Sequence, residues 1–199
     1  MKLNIYTVTH PIIQQLVSIL KNKNTHPIIY DRTSQHLSIF LIYETIRNWF
    51  KNQELYIKEL NITKKLSLAN PQESCIVITN IPQNLNLIQE LQEFIPNCQI
   101  NFVNLCKINE KWEVNSKFNF IPLDINNNKK IIILDKNIQT EAIITLINYL
   151  TIKKVEINQI RISSITCSTH TLKVLGNKYP KLNIYTTEII ENYTESLVI

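Results

Sequence analysis

The chain has a single glycine, Gly176, in 199 residues, where average usage would give roughly 7%, or about fourteen. Ile, Asn and Lys are abundant and Ala, Gly and Arg scarce, the signature of an A/T-rich genome. Glycines that a phosphate-binding loop requires should resist that drift, so their absence is itself information about function. Charged residues are also few, at 19%, against a usual quarter, and the net charge of +5 is mild. Lysines come as separated pairs (Lys64–Lys65, Lys129–Lys130, Lys153–Lys154). They read as solvated surface and not as a polyanion-binding stripe, so no nucleic-acid partner is expected. The four cysteines, Cys75, Cys98, Cys106 and Cys167, show no C-x-x-C spacing. They are expected to be buried free thiols. The histidines, His10, His26, His36 and His170, lack metal-ligand spacing. No apolar run reaches the roughly 18 residues a membrane helix needs. The start, MKLNIYTVTHP, has no signal-peptide core and is not Arg/Ser-rich. The expectation is a soluble intracellular protein made in the compartment where it works.

What is present centres on Lys129–Leu150, KKIIILDKNIQTEAIITLINYL. The β-branched run Ile131–Leu134 predicts a strand buried on both faces, as in a parallel sheet. It ends at Asp135. After a polar loop, apolar residues recur at Ile143, Ile144, Ile147 and Leu150, the spacing of a helix face. Strand, loop and helix make half a βαβ unit, with Asp135 at the strand's carboxyl end and Thr140 near the helix N-terminus. Ligands of open α/β sheets bind at that rim, and a helix N-terminus suits phosphate.

Around this unit, a short strand (Leu3, Ile5) leads to His10-Pro11 and an amphipathic helix through Leu20. Lys21–Thr25 is loop-like, and a second helix is expected from about Thr33 to Trp49. Leu55–Ile57 and Leu60–Ile62 predict short strands, closed by Asn70-Pro71. CIVIT from Cys75 predicts a buried strand, Leu85–Phe94 a helix ended by Ile95-Pro96, and Gln99–Leu105 the next strand. Lys107–Asn119 is polar with interspersed aromatics, an arm or hairpin, and Asn126–Asn128 a turn. Ile157–Ile165 predicts a strand, Ser168–Lys178 a helix with Gly176 near its C-cap and Pro180 beyond, and Leu182–Tyr185 a last strand. Strand–helix alternation over 75–190 argues for a parallel α/β sheet, preceded by helices and short strands over 1–70, in one domain spanning 1–199.

The order of these segments resembles the uracil phosphoribosyltransferase family. THPIIQQLVSILKNKNT (Thr9–Thr25), LIYETIRNW (Leu41–Trp49), IPNCQINFVNLCKINEKWE (Ile95–Glu113), KKIIILDKNIQT (Lys129–Thr140) and KYPKLNIYTTEI (Lys178–Ile189) match its blocks in order and spacing. The resemblance implies a type I phosphoribosyltransferase-like α/β fold, a central parallel sheet flanked by helices. It also implies transfer of phosphoribosyl from phosphoribosyl pyrophosphate to uracil, with Mg2+ brought on the diphosphate and no metal held directly by side chains. The family's Asp at the strand end holds ribose, and its Thr-Gly-Gly-Ser turn wraps the 5′-phosphate. Carried over by position, these are Asp135, Gln139, Thr140, Glu141, Ala142 and Ile143, with Lys107 at the position of an arginine that meets the pyrophosphate.

Three departures touch the chemistry. Glu141, Ala142 and Ile143 stand where the family has Gly-Gly-Ser. A carboxylate about 4 Å from the phosphate would repel by roughly 4 kcal/mol at an effective dielectric near 20, about a thousandfold in affinity. Pointing to solvent, the orientation adopted here, Glu141 merely complements the helix dipole. Pro82, Gln83 and Asn84 replace the Arg-Ala-Gly of the pyrophosphate loop. The residues after Glu191, ending TESLVI, do not match the family's uracil-gripping segment, so that pocket is expected to be missing. Two readings follow. One is a uracil phosphoribosyltransferase homologue with weak or lost activity. The other is a non-catalytic protein of the same fold with a regulatory, nucleotide- or RNA-binding role. A homodimer is expected and a membrane partner is not. The residue bias fits a plastid genome and the stroma, or alternatively a bacterial or endosymbiont cytoplasm.

Overall fold

The computed structural model describes residues 3–60, 62–70, 74–81, 83–95, 98–122, 125 and 129–191. Its largest element is a seven-stranded sheet. The strands are β1 (Asn4–Thr7), β4 (Cys75–Asn80), β5 (Cys98–Ile108), β6 (Lys111–Asn119), β7 (Lys130–Asn137), β8 (Ile160–Ser168) and β9 (Asn183–Ile190). They lie in the order β1-β9-β8-β7-β4-β5-β6. All neighbours pair in parallel except β5 and β6. The remaining strands, β2 (Asn52–Glu59) and β3 (Ile62–Ala69), form a separate antiparallel hairpin.

The buried centre follows from the β-branched runs. In β7, Ile131 and Ile133 face one apolar cluster and Ile132 and Leu134 the other, the two-residue alternation of a strand covered on both sides. Helix α4 (Thr140–Ile152) closes the first cluster with Ala142, Ile143, Leu146, Ile147 and Leu150. Burying each of the larger aliphatic chains is worth roughly 1.5–3 kcal/mol. Helix α5 (Thr169–Lys178) joins it there through Leu172 and Leu175. Helices α1 (Pro11–Lys21) and α2 (Pro27–Ile46) cover the opposite face.

Several expectations about local structure change. Helix α2 begins at Pro27, six residues before the expected start. His26 caps it by accepting a hydrogen bond from Ile28 N at 3.3 Å, as His10 does for α1 from Ile12 N at 3.3 Å. Each His-Pro pair combines a side-chain acceptor with a residue that has no N–H to satisfy at the first turn. The strands expected around 55–57 and 60–62 are full eight-residue partners, and Leu60 sits in the turn between them. Leu85–Phe94 is broken into a 3-10 turn (Leu85–Ile88) and a one-turn helix α3 (Leu91–Phe94). The arm at 107–119 is the end of β5 and all of β6, reversed through Asn109 and Glu110 at φ 48° and 64°. Residues 157–159 form a 3-10 turn before β8. Gly176 is a helical residue three places before the C-cap Tyr179, so it has no capping role. Leu3 Cβ lies 3.5 Å from where a Cβ on it would stand. Cys75 and Cys167 are buried and Cys98 and Cys106 half-buried. Cys75 and Cys98 are register partners. A hydrogen bond to Cys98, then burial, pushes the Cys75 thiol up. Pro71, Pro82, Pro96, Asn126–Asn128 and the residues after Glu191 lie outside the described residues.

Candidate functional site at the carboxyl rim

Strands β4 and β7 end side by side, and the two loops that leave them meet. β7 continues two residues past Asp135, whose register partner on β8 is Ser164. Asp135 is therefore at the rim but still inside the ladder. Its Oδ1 accepts from Asn84 Nδ2 at 2.9 Å and from Asn137 N at 3.3 Å. Asn84 is fully buried. It also accepts from Lys136 N at 3.1 Å and donates to Asn80 O at 3.1 Å. One amide thus ties the loop after β4 to the end of β7. Burial dominates the electrostatics, pushing the Asp135 carboxyl up to about 6 although Asn84, the Asn137 and Lys136 amides and the Lys136 charge all pull it down. Beside it, Asn137 Oδ1 and Ser164 Oγ are buried with no partner among the described residues.

The remaining expected residues gather around a groove of about 570 Å³ lined by Lys107, Trp112, Gln139, Thr140, Glu141, Ile144, His170 and Val174. Lys107 reaches it from β5, opposite Trp112 on β6. Gln139 is the N-cap of α4, with no side-chain capping bond, so the first-turn amides carry no side-chain cap. Ile143 N already donates to Gln139 O at 3.0 Å, and Ala142 and Ile143 are buried in the core. The stretch expected to wrap a phosphate is therefore the opening turn of a regular helix. Its φ angles are negative and it needs no glycine. Glu141 is exposed on the lip of the groove.

The structure brings Lys107, Gln139, Thr140 and Glu141 to one groove, and takes Ala142 and Ile143 into the core. Asp135 is held by Asn84 and does not line that groove. Sequence reasoning missed the hydroxyl chain behind Thr140. Thr140 Oγ1 lies 2.8 Å from Thr171 Oγ1, and that oxygen lies 2.8 Å from Ser168 Oγ, the cap of α5. A Ser with Thr three residues on is a capping pattern readable from the chain, but its contact with Thr140 is tertiary. Asn84 gave no signal beyond replacing a glycine. Among the described residues no group of three or more His, Cys, Asp or Glu side chains could hold a metal ion, and no helix is long and apolar enough to cross a membrane.

Comparison with known proteins agrees with this fold. The family model described as uracil phosphoribosyltransferase matches residues 7–199. A protein named uracil phosphoribosyltransferase from Synechocystis sp. is 25% identical over 195 residues, 98% of this chain and 90% of that one. A uracil phosphoribosyltransferase homolog of Pyropia yezoensis is 29% identical over 192 residues, 96% and 91% of the two chains. One from Porphyra purpurea is 26% identical over 189 residues, 95% and 89%. Such cyanobacterial and red algal relatives are compatible with a plastid or bacterial origin. A solved structure from Aquifex aeolicus superposes with a TM-score of 0.79 at 16% identity, covering 94% of this chain and 88% of that one, and so shares the fold.

Proposed function

Because the chain belongs to the uracil phosphoribosyltransferase family, we propose that it joins uracil to phosphoribosyl pyrophosphate, giving UMP and pyrophosphate, with a weakened grip on the diphosphate substrate. In that transfer the C1–O bond to pyrophosphate breaks, the C1–N1 bond to uracil forms, and uracil loses its N1 proton. The observation that carries the reading is the first turn of α4, without a side-chain cap, in the same groove as Lys107. The amides of Thr140, Glu141 and Ala142 and the positive end of the helix dipole favour a phosphoryl group there. Lys107 supplies a point charge toward pyrophosphate, without an arginine's fork. Mg2+ would arrive on diphosphate oxygens, the usual mode for this ion, and would neutralise charge developing on the leaving group. The described side chains form no cage for it.

The grip is weak for two reasons. Ala142 and Ile143 cannot turn toward phosphate without leaving the core, and Glu141 stands at the groove lip. The test is UMP formation with millimolar uracil, phosphoribosyl pyrophosphate and Mg2+. Slow turnover with a high KM for the diphosphate supports the proposal, with the KM lowered severalfold in Glu141→Gln. No turnover at millimolar substrates overturns it. The Asn84–Asp135 bond favours a second reading, a non-catalytic nucleotide-binding protein, because the carboxylate assigned to ribose is already engaged. Binding of phosphoribosyl pyrophosphate or UMP without turnover would establish that one.

The whole chain, 1–70 with 75–190, acts in this proposal as one phosphoribosyltransferase-like domain in the plastid stroma or a bacterial cytoplasm. The β2–β3 hairpin exposes Leu55, Tyr56, Ile57, Leu60, Ile62 and Leu68. An isolated two-stranded hairpin is marginal in water, which supports a homodimer that covers it. Sedimentation equilibrium decides that point.

A further inference from the structure

Away from the rim, between the edge strand β1 and the end of α2, lies a second cavity of about 640 Å³. It is lined by Tyr6, His10, Glu44, Asn48, Arg161 and Tyr185 among others. Arg161 enters from β8 with its guanidinium 4.2 Å from the centre of the Trp49 ring and 5.6 Å from that of Tyr185. Its Nη1 donates to Thr45 O and, at 3.0 Å, to Tyr185 OH. Among the described residues the other edge of the fork is unpaired. Nε is buried without an acceptor, Nη2 makes no bond, and no carboxylate lies within ion-pair distance among the described residues. Glu44, on the cavity wall, is paired with Arg47 at 3.5 Å. Burial pulls the Arg161 pKa down, with no anionic carboxylate among the groups that oppose it.

A half-buried cation normally has a counter-charge. Here the fold supplies aromatic faces, encloses Nε and leaves Nη2 to meet a phosphoryl oxygen from the cavity. The aromatic surface continues beyond it. Tyr6 stacks on Tyr185 at 4.7 Å and 14° and is 46% exposed. The cavity volume falls in the range of small-molecule sites, about 300–1,000 Å³.

We propose that this cavity binds a nucleoside monophosphate, its phosphoryl group on Nη2 of Arg161 and its base against Tyr6. Glu44 is placed to accept from a base N–H. The site is independent of the transfer reaction proposed at the rim.

The two tryptophans make the test specific. Trp49 touches Arg161, and Trp112 lines the rim groove. In the full-length Trp112→Phe variant, AMP is titrated while Trp49 emission is followed. AMP carries a phosphoryl group and a planar ring but no uracil. A saturable Trp49 response below millimolar AMP is expected, stronger than with inorganic phosphate or adenosine alone. Arg161→Met should weaken it about tenfold, with part recovered in Arg161→Lys and a smaller loss in Tyr6→Leu. Because Arg161 also holds the end of α2, each variant is checked by thermal melting, and Tyr6→Leu at an exposed edge remains informative if Arg161→Met does not fold. A flat Trp49 signal to 5 mM AMP (roughly tenfold above the expected range) overturns the proposal. So does binding unchanged by both Arg161→Lys and Tyr6→Leu.

Discussion

Two ionic side chains on the same sheet are treated in opposite ways. At the rim, Asp135 is enclosed and given donors by its neighbours, Asn84 and the amide of Asn137. On the neighbouring strand β8, near its amino end, Arg161 receives aromatic faces and two acceptors for one nitrogen, and among the described residues nothing for the other edge of its fork. The carboxylate that the family resemblance links to ribose has been closed into the protein. The guanidinium that nothing in the sequence singled out has been left to meet something from outside. A charged residue at a strand end is thus a weaker pointer to a working site than a charge whose hydrogen-bonding capacity the fold has left unused.

The sharpest way to break this contrast is to restore the family turn at the rim. Ile143→Ser would put a hydroxyl into the core beside α4 and remove a buried aliphatic chain. The expected loss is about 3 kcal/mol in urea unfolding, so the rim cannot be repaired residue by residue. A loss under about 1 kcal/mol would mean the turn is free to open toward phosphate. Next comes the pH profile of Asp135. Its carboxyl is raised from 3.8 to about 6 by burial. The group therefore contributes stability that is present below pH 4 and lost as pH rises through about 6. Asp135→Asn should remove that loss, gaining on the order of 2 kcal/mol over wild type at pH 8 relative to pH 4. Parallel pH profiles for the two proteins would contradict an enclosed carboxyl.

Asn84→Ala should cost about 1–3 kcal/mol, because it leaves Lys136 N–H without its acceptor and Asp135 with the Asn137 amide but without the Asn84 donor. It also releases the loop after β4. If release improves affinity for phosphoribosyl pyrophosphate in calorimetry, the latch is what closes the rim. The smallest effects concern glycine. Glu110 at φ 64° and Lys154 at φ 65° hold left-handed conformations that cost an ordinary residue about 1 kcal/mol. Glu110→Gly should stabilise by about that amount, as should Gly176→Ala in its helix, by roughly 0.5–1 kcal/mol, since an added Cβ meets Leu3 at ordinary contact distance. Differential scanning calorimetry reads both as upward shifts in Tm.

Those last positions also correct an inference from composition. The chain dispenses with glycine even in the β5–β6 turn and after α4, where backbone geometry favours it, and keeps its one glycine inside a helix. Scarcity of glycine therefore reflects the whole chain, and its absence from 141–142 does not by itself mark lost function. The stronger observation is that this stretch is helical and packed inward.

The strands and helices around β7 were legible because each has a period: β-branched runs for strands covered on both faces, and the i, i+3/i+4 spacing of α4 for a helix on a core. The His-Pro start of α1 is legible too, and the second His-Pro, at α2, starts its helix by the same physics. The full length of the β2–β3 hairpin is not legible in the sequence, because β2 is exposed along its whole length and carries little apolar contrast.

The sequence alone determined the family, the parallel sheet, and the place of residues 135 to 140 at its carboxyl rim. Local periodicity and motif order are properties of neighbours in the chain, and they survive divergence. Only the tertiary structure decided that Asn84 reaches Asp135 across 51 residues, that Thr171 stands behind Thr140, and that Arg161 lies between Trp49 and Tyr185 with half its fork unpaired. Those outcomes depend on which side chains the sheet order brings face to face, and pairing at a distance leaves no local pattern.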